Sequence, residues 1–203
     1  MELGPVTILA CAGRRIDASD ASISRFPLIE SDRVGREVEA VLRTQRVTLV
    51  VSSAACGADL IVLHVAHRLG IRTLVVLPFS PELFRRHSVM DRPSSAAWDW
   101  GKLYDQMIEK VRKAGDLKIL KGTPESHLGY QAVNRALVAE AMALGKQESA
   151  RGRESSGIGL AQVKALIIWD GESRGPQDLT MHFSEEACAQ GLPVLEIFTL
   201  ASS

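Results

Sequence analysis

Arginines and small residues gather where the apolar runs of this chain end. Val6 to Cys11 (VTILAC) is followed by Ala12-Gly13-Arg14-Arg15, and Val47 to Ser52 (VTLVVS) by Ser53-Ala54-Ala55-Cys56-Gly57-Ala58-Asp59. Thr73 to Leu77 (TLVVL) leads into Pro78-Phe79-Ser80, and Ala165 to Trp169 (ALIIW) into Asp170-Gly171-Glu172-Ser173-Arg174-Gly175-Pro176. Without bulky side chains, backbone N–H groups and a helix N-terminus can come close to a phosphate or ribose, and arginines add charge-assisted contacts. The chemistry this suits is the binding of a compact anion. Gly13, Arg14, Arg15, Ser53, Ala54, Cys56, Gly57, Asp59, Pro78, Asp170, Gly171, Gly175 and Thr180 are the candidate ligand-binding residues. Any one of these loops, taken alone, reads equally well as an ordinary tight strand-to-helix turn.

Other reactive side chains give weaker signals. Cys56 precedes a predicted helix, where a thiolate is favoured, but a helix from Ala58 carries His64 and His67 up to three turns away, beyond reach as a base. His87 and His182 lie near strand ends, and Trp169 ends a strand at a position that favours the core. Trp98 and Trp100, near Tyr104, read either as an aromatic lid or as a subunit contact. No catalytic residue and no metal ligand set is assigned. Neither GxGxxG nor GxxxxGK[ST] occurs, so neither a standard dinucleotide fingerprint nor a P-loop is supported.

The elements that must position these loops alternate. Short continuous apolar runs suit strands buried on both faces of a parallel sheet. Between them, Ser31 is placed to cap a helix through Val34, Val38, Val41 and Leu42, and Gly70 closes a second helix carrying Leu60 and Leu63. Pro81 to His87 reads as a short helix, Asp99 to Ala114 as an amphipathic one and Leu117 to Leu120 as a weak strand. Tyr130, Val133, Leu137 and Leu144 mark a longer helix, and Gln177 to Gln190 precedes a last strand, Val194 to Phe198. The segment 146–157 (KQESARGRESSG) has almost no apolar residue and is expected to be a mobile connection. The expectation is a single α/β domain over 1–203. It is a Rossmann-like, doubly wound, mostly parallel sheet of about six or seven strands with helices on both faces.

Composition narrows the ligand classes. Lys plus Arg and Asp plus Glu both total 24, so no whole-molecule field draws the chain to nucleic acid or anionic lipid. Aromatic residues are 5%, too few for an extended base-stacking surface beside a core. Three cysteines without CxxC spacing argue against a disulfide framework or structural zinc and suit a reducing cytoplasm. No run of 18 apolar residues and no basic leader is present, so neither a membrane partner nor secretion is expected.

Taken in order, VTILACAGRR, LVVSSAACGADLIVLHVA, TLVVLPF, ALIIWDGESRGPQDLT and LPVLEIF resemble the SLOG superfamily. This Rossmannoid group contains the Lonely Guy phosphoribohydrolases and DNA-processing protein A. GRRID followed by RFP, then SAACGADL, VVLPF, HSV and IIWDG, is similar to a bacterial nucleotide-sensing subgroup. The resemblance covers most of the chain. It implies a ligand built from a nucleotide, with Gly13 and Arg14 at the first loop, Ser53 to Asp59 around phosphate or ribose, and the fifth-strand loop closing the site.

Family hydrolases carry a PGGxGTxxE signature, whose Glu assists glycosidic-bond cleavage. This chain has Gly175-Pro176-Gln177-Asp178-Leu179-Thr180-Met181-His182-Phe183, with Phe183 at the Glu position. The expectation is therefore binding or sensing of a nucleotide-derived small molecule, such as an NAD fragment, ADP-ribose, or a cyclic or linear nucleotide, by a cytoplasmic homodimer without a cofactor. The alternatives are an N-glycosidic hydrolase acting on nucleoside monophosphates, and a DNA-associated or scaffolding domain. Arg14→Ala is expected to weaken nucleotide binding and leave thermal unfolding nearly unchanged.

Overall fold

Burial on both faces is what the strand sequences demand, and the computed structural model supplies it over residues 6–154 and 161–201. In β1 (Thr7–Gly13) successive side chains point to opposite faces of the sheet. Leu9 and Cys11 enter one apolar cluster, Ile8 and Ala10 the other, and all four are buried. The remaining strands are β2 (Val47–Ser52), β3 (Arg72–Leu77), β4 (Leu117–Ile119), β5 (Gln162–Trp169) and β6 (Val194–Phe198). They form one sheet in the order β4-β3-β2-β1-β5-β6, and every neighbouring pair is parallel. The fold is Rossmann-like. The expected six or seven mostly parallel strands are, among the described residues, six and all parallel.

Helices α1 (Ser31–Thr44), α2 (Ala58–Arg68) and α4 (Trp100–Ala114) cover the face of Leu9 and Cys11. The short α3 (Pro81–Ser88) adds Phe84 to the same cluster. The opposite face is covered by α5 (His127–Glu154), through Val133, Leu137, Val138 and Ala141, and by α6 (Leu179–Ala189), through Phe183 and Ala187. The chain steps outward from β1 to β4, and α5 then carries it back across the sheet to β5 on the other side of β1. That reversal makes the carboxyl ends of β1 and β5 the topological switch point.

Two local expectations are corrected. Ser31 is the first residue of α1 rather than its cap, and its buried hydroxyl has no partner among the described residues. The segment 146–157, expected as a mobile connection, continues α5 through Glu154; its last three residues lie outside the described ones. A polar run of Lys, Gln, Glu, Ala and Arg has strong intrinsic helix propensity, so its lack of an apolar face marks a solvent-facing helix. Arg151 pairs with Glu148 one turn back at 3.0 Å. Gly145 lies close against Val163, where a Cβ would come within 2.3 Å of Cγ2, so the helix approaches β5 closely before leaving the sheet.

Candidate functional site

At the switch point three chain segments pack with little space between them. Arg14 N–H donates to the Ile168 carbonyl at 2.8 Å, and Ala58 N–H donates to the Arg14 carbonyl at 3.0 Å. A Cβ on Gly13 would meet the Ile168 oxygen at 2.4 Å and the Ala58 Cβ at 2.6 Å. Gly57, at φ 95°, would bring a Cβ within 2.8 Å of the Arg14 carbonyl. These two glycines therefore serve the approach of chain to chain, which fixes the start of α2 against the end of β1.

Arg14 is directed inward. It is 2% exposed, and its Nε donates to Asp170 at 2.7 Å, one Nη to Asp178 at 2.6 Å and the other to the Glu172 carbonyl at 2.5 Å. Arg25 pairs with the second oxygen of Asp170. Asp178 also caps α6, accepting from Thr180 N–H at 2.9 Å and Met181 N–H at 3.3 Å, while its other oxygen accepts from Arg174 N–H at 2.8 Å. Burial pushes the Asp178 carboxyl up, but hydrogen bonds from Arg14 and these amides prevail and hold it at about 2. The network locks the loop after β5 to the end of β1, and each of the three guanidinium nitrogens of Arg14 donates within it.

Beside this network lies a cleft of about 360 Å³, within the range of small-molecule sites. Gly13, Arg15, Ser53, Asp59 and Thr180 border it, together with Phe84, His87 and Ser88 from α3, Tyr130, Val133, Asn134 and Leu137 from α5, and Arg174 and Leu179. Asp59 stands in the first turn of α2 and is 7% exposed. One of its oxygens accepts from Ala55 N–H at 3.2 Å; the other is buried without a partner among the described residues. Burial outweighs the Ala55 hydrogen bond, the influence of the nearby Gly13 amide and the pull of Arg15, and raises the carboxyl to about 7. The cleft thus combines an acceptor-rich floor, suited to hydroxyl groups, with a rim carrying Arg15, Arg174 and His87.

Of the sequence candidates, Gly13, Arg15, Ser53, Asp59 and Thr180 meet at this cleft. Arg14 and Asp170 form the adjoining network. Ala54, Cys56, Gly57 and Pro78 are buried behind the loops, and Gly171 and Gly175 occupy exposed turns at φ 84° and 91°. The Cys56 thiol is pushed up by burial against the influence of Arg15, and His64 instead meets Trp98 edge-on at 5.8 Å. Trp98 stacks on Trp100 at 5.2 Å and donates to Asp32; Trp100 is buried, Trp98 is partly exposed, and neither borders the cleft as a lid would.

Asn134 was not legible as a site residue. Its amide donates to the Leu179 carbonyl at 2.7 Å, tying α5 to the start of α6. A polar residue among Val133, Leu137 and Val138 is the one signal that could have found it. Tyr130, whose hydroxyl is 3.0 Å from that of Ser88, reads in sequence only as a core-facing position.

No protein-family model matches the chain, and no curated protein matches it. Among solved structures it is similar to DNA processing protein A from Streptococcus pneumoniae, at 14% identity and a TM-score of 0.48, over 98% of this chain and 51% of that one. It is also similar to SuiB from Streptococcus suis, solved bound to S-adenosylmethionine, at 10% identity and a TM-score of 0.24, over 95% of this chain and 39% of that one. The chain spans about half the length of DNA processing protein A. Among the described residues no helix is long and apolar enough to cross a membrane.

Proposed function

We propose that this chain binds a nucleotide-derived small molecule in the cleft at the ends of β1, β2 and β5, as a sensor of the SLOG nucleotide-binding type rather than as a catalyst. The observation that carries the reading is Asp59, a buried carboxylate with one unpartnered oxygen at the switch point of a Rossmann-like sheet. An acceptor there suits ribose hydroxyls, and Arg15, Arg174 and His87 suit the phosphate that follows. NAD fragments, ADP-ribose and cyclic or linear nucleotides all present this pairing of diol and anion. A cytoplasmic homodimer belongs to the same proposal.

Hydrolysis of a nucleoside monophosphate is the second reading, and one observation favours it. A carboxyl raised to about 7 is matched to acid–base work near neutral pH. Against it, Phe183 occupies the position of the family's glutamate and is fully buried in the core between α6 and the sheet.

A thermal-shift panel of nucleotides, with base release followed in parallel, separates the two. At a hundredfold excess over Kd, a ligand of the folded state adds about 2.7 kcal/mol and raises Tm by roughly 5 to 10 °C. The sensor reading expects that rise without base release, and its loss in Asp59→Asn. Turnover of AMP that disappears in the same variant establishes the hydrolase instead.

A further inference from the structure

The cleft does not stop at its arginine rim. A second cavity of about 390 Å³ lies beyond Arg15, Arg174 and Leu179, which border both spaces. The loop following β1 supplies most of its wall, and Arg92 joins it from the segment between α3 and α4. Arg14, Arg15, Arg25, Arg92 and Arg174 line it, with Asp17 as the lone carboxylate on the wall among the described residues. Asp17 is already occupied, accepting from Arg25 and Phe26 N–H groups and from the Ser24 hydroxyl.

The five arginines are not equally engaged. Arg14 and Arg25 are committed to Asp170 and Asp178. Arg15 and Arg92 share one carboxylate, Asp91, and the Nε of each is buried without an acceptor among the described residues. Arg174 reaches Asp178 only at 3.9 Å, and that carboxylate already accepts from Arg14 and three backbone amides. Two orphaned guanidinium donors and a third weakly paired arginine thus surround one space. An anion with several oxygens answers that need, because guanidinium forks bind phosphate oxygens two at a time. Each cavity alone has the volume of a small-molecule site, and the two lie on either side of Arg15, Arg174 and Leu179, so together they suit a ligand in two parts.

We propose that the arginine-lined chamber is a diphosphate subsite, so that the ligand class is a nucleoside diphosphate or its ester rather than a nucleoside monophosphate. Placement of the nucleoside rests on the function proposed above; the preference of the chamber for diphosphate rests on the arginines alone.

Calorimetric titration of the full chain with AMP, ADP, ADP-ribose and inorganic pyrophosphate at fixed ionic strength tests this. ADP and ADP-ribose are expected to bind at least tenfold more tightly than AMP. Arg92→Gln, at a residue that lines the chamber and does not border the cleft, should abolish that advantage while lowering AMP affinity far less than ADP affinity, and Arg92→Lys should retain part of it. Thermal unfolding of both variants reports whether they fold. Equal affinity of the wild-type protein for AMP and ADP overturns the proposal without any variant, as does an equal loss for both ligands in Arg92→Gln. Pyrophosphate binding that depends on Arg92, in a protein that ignores all three nucleotides, upholds the chamber and defeats the nucleotide reading. Failure to bind pyrophosphate or any of the nucleotides defeats both.

Discussion

Two buried aspartates stand at the same end of the sheet and behave in opposite ways. Asp178 accepts from Arg14 and three backbone amides, and its carboxyl is held at about 2. Asp59, on the other side of the β1 end, has one amide on one oxygen and nothing among the described residues on the other; its carboxyl rises to about 7. A saturated buried charge holds a loop in place. An unsaturated one reduces stability unless something else meets it, which is why the first region reads as scaffold and the second carries the proposed site.

Arg14→Ala breaks the saturated side and carries the largest expected effect. It leaves the carboxylates of Asp170 and Asp178 buried without their main partner, at a cost of about 3–5 kcal/mol. Urea or thermal unfolding should show it directly, reversing the expectation that this substitution leaves unfolding unchanged. A change below about 1 kcal/mol would remove the distinction between the two regions.

Asp59→Asn probes the unsaturated side and should act with the opposite sign. The folded protein holds the Asp59 proton to about pH 7 and the unfolded chain releases it near 3.8, so its contribution to stability falls as pH rises between those values. Replacing it should stabilise the protein by roughly 2–4 kcal/mol at pH 8, with the gain fading by pH 4. Asp178 runs the other way: its stabilisation is complete above about pH 4 and is lost as pH falls through about 2. Stability curves of wild type and Asp59→Asn that stay parallel from pH 4 to 8 would contradict this assignment.

Arg174→Ala gives the smallest change in stability and the sharpest contrast with Arg14. The Arg174 side chain is half exposed and only loosely paired, so stability should move by no more than about 0.5 kcal/mol. Nucleotide affinity should nonetheless drop about tenfold, from the loss of one charge-assisted contact. Unchanged affinity in that variant would remove the arginine rim from the site.

The sheet was legible because burial on both faces leaves a strong local mark. Runs such as VTILAC, VTLVVS and ALIIW contain little but apolar and β-branched residues. The long α5 was only half legible, since a periodic apolar face announces its packed portion and nothing apolar marks the exposed remainder. Reading the strand ends picked out five residues that border the cleft, Gly13, Arg15, Ser53, Asp59 and Thr180. Asn134 and Tyr130 were not picked out, because α5 reaches the cleft from a crossover far along the chain and its polar positions carry no local signature.

The sequence determined by itself that strands would alternate with helices, that the sheet would be parallel, and which loops would lie at its carboxyl ends. Only the tertiary structure decided which of two adjacent arginines borders the cleft. Arg14 and Arg15 leave the end of one strand in different directions, the first into carboxylates contributed more than 150 residues later, the second toward the cleft. Identical side chains at neighbouring positions are indistinguishable in sequence, and their roles come from the partners that folding brings to each.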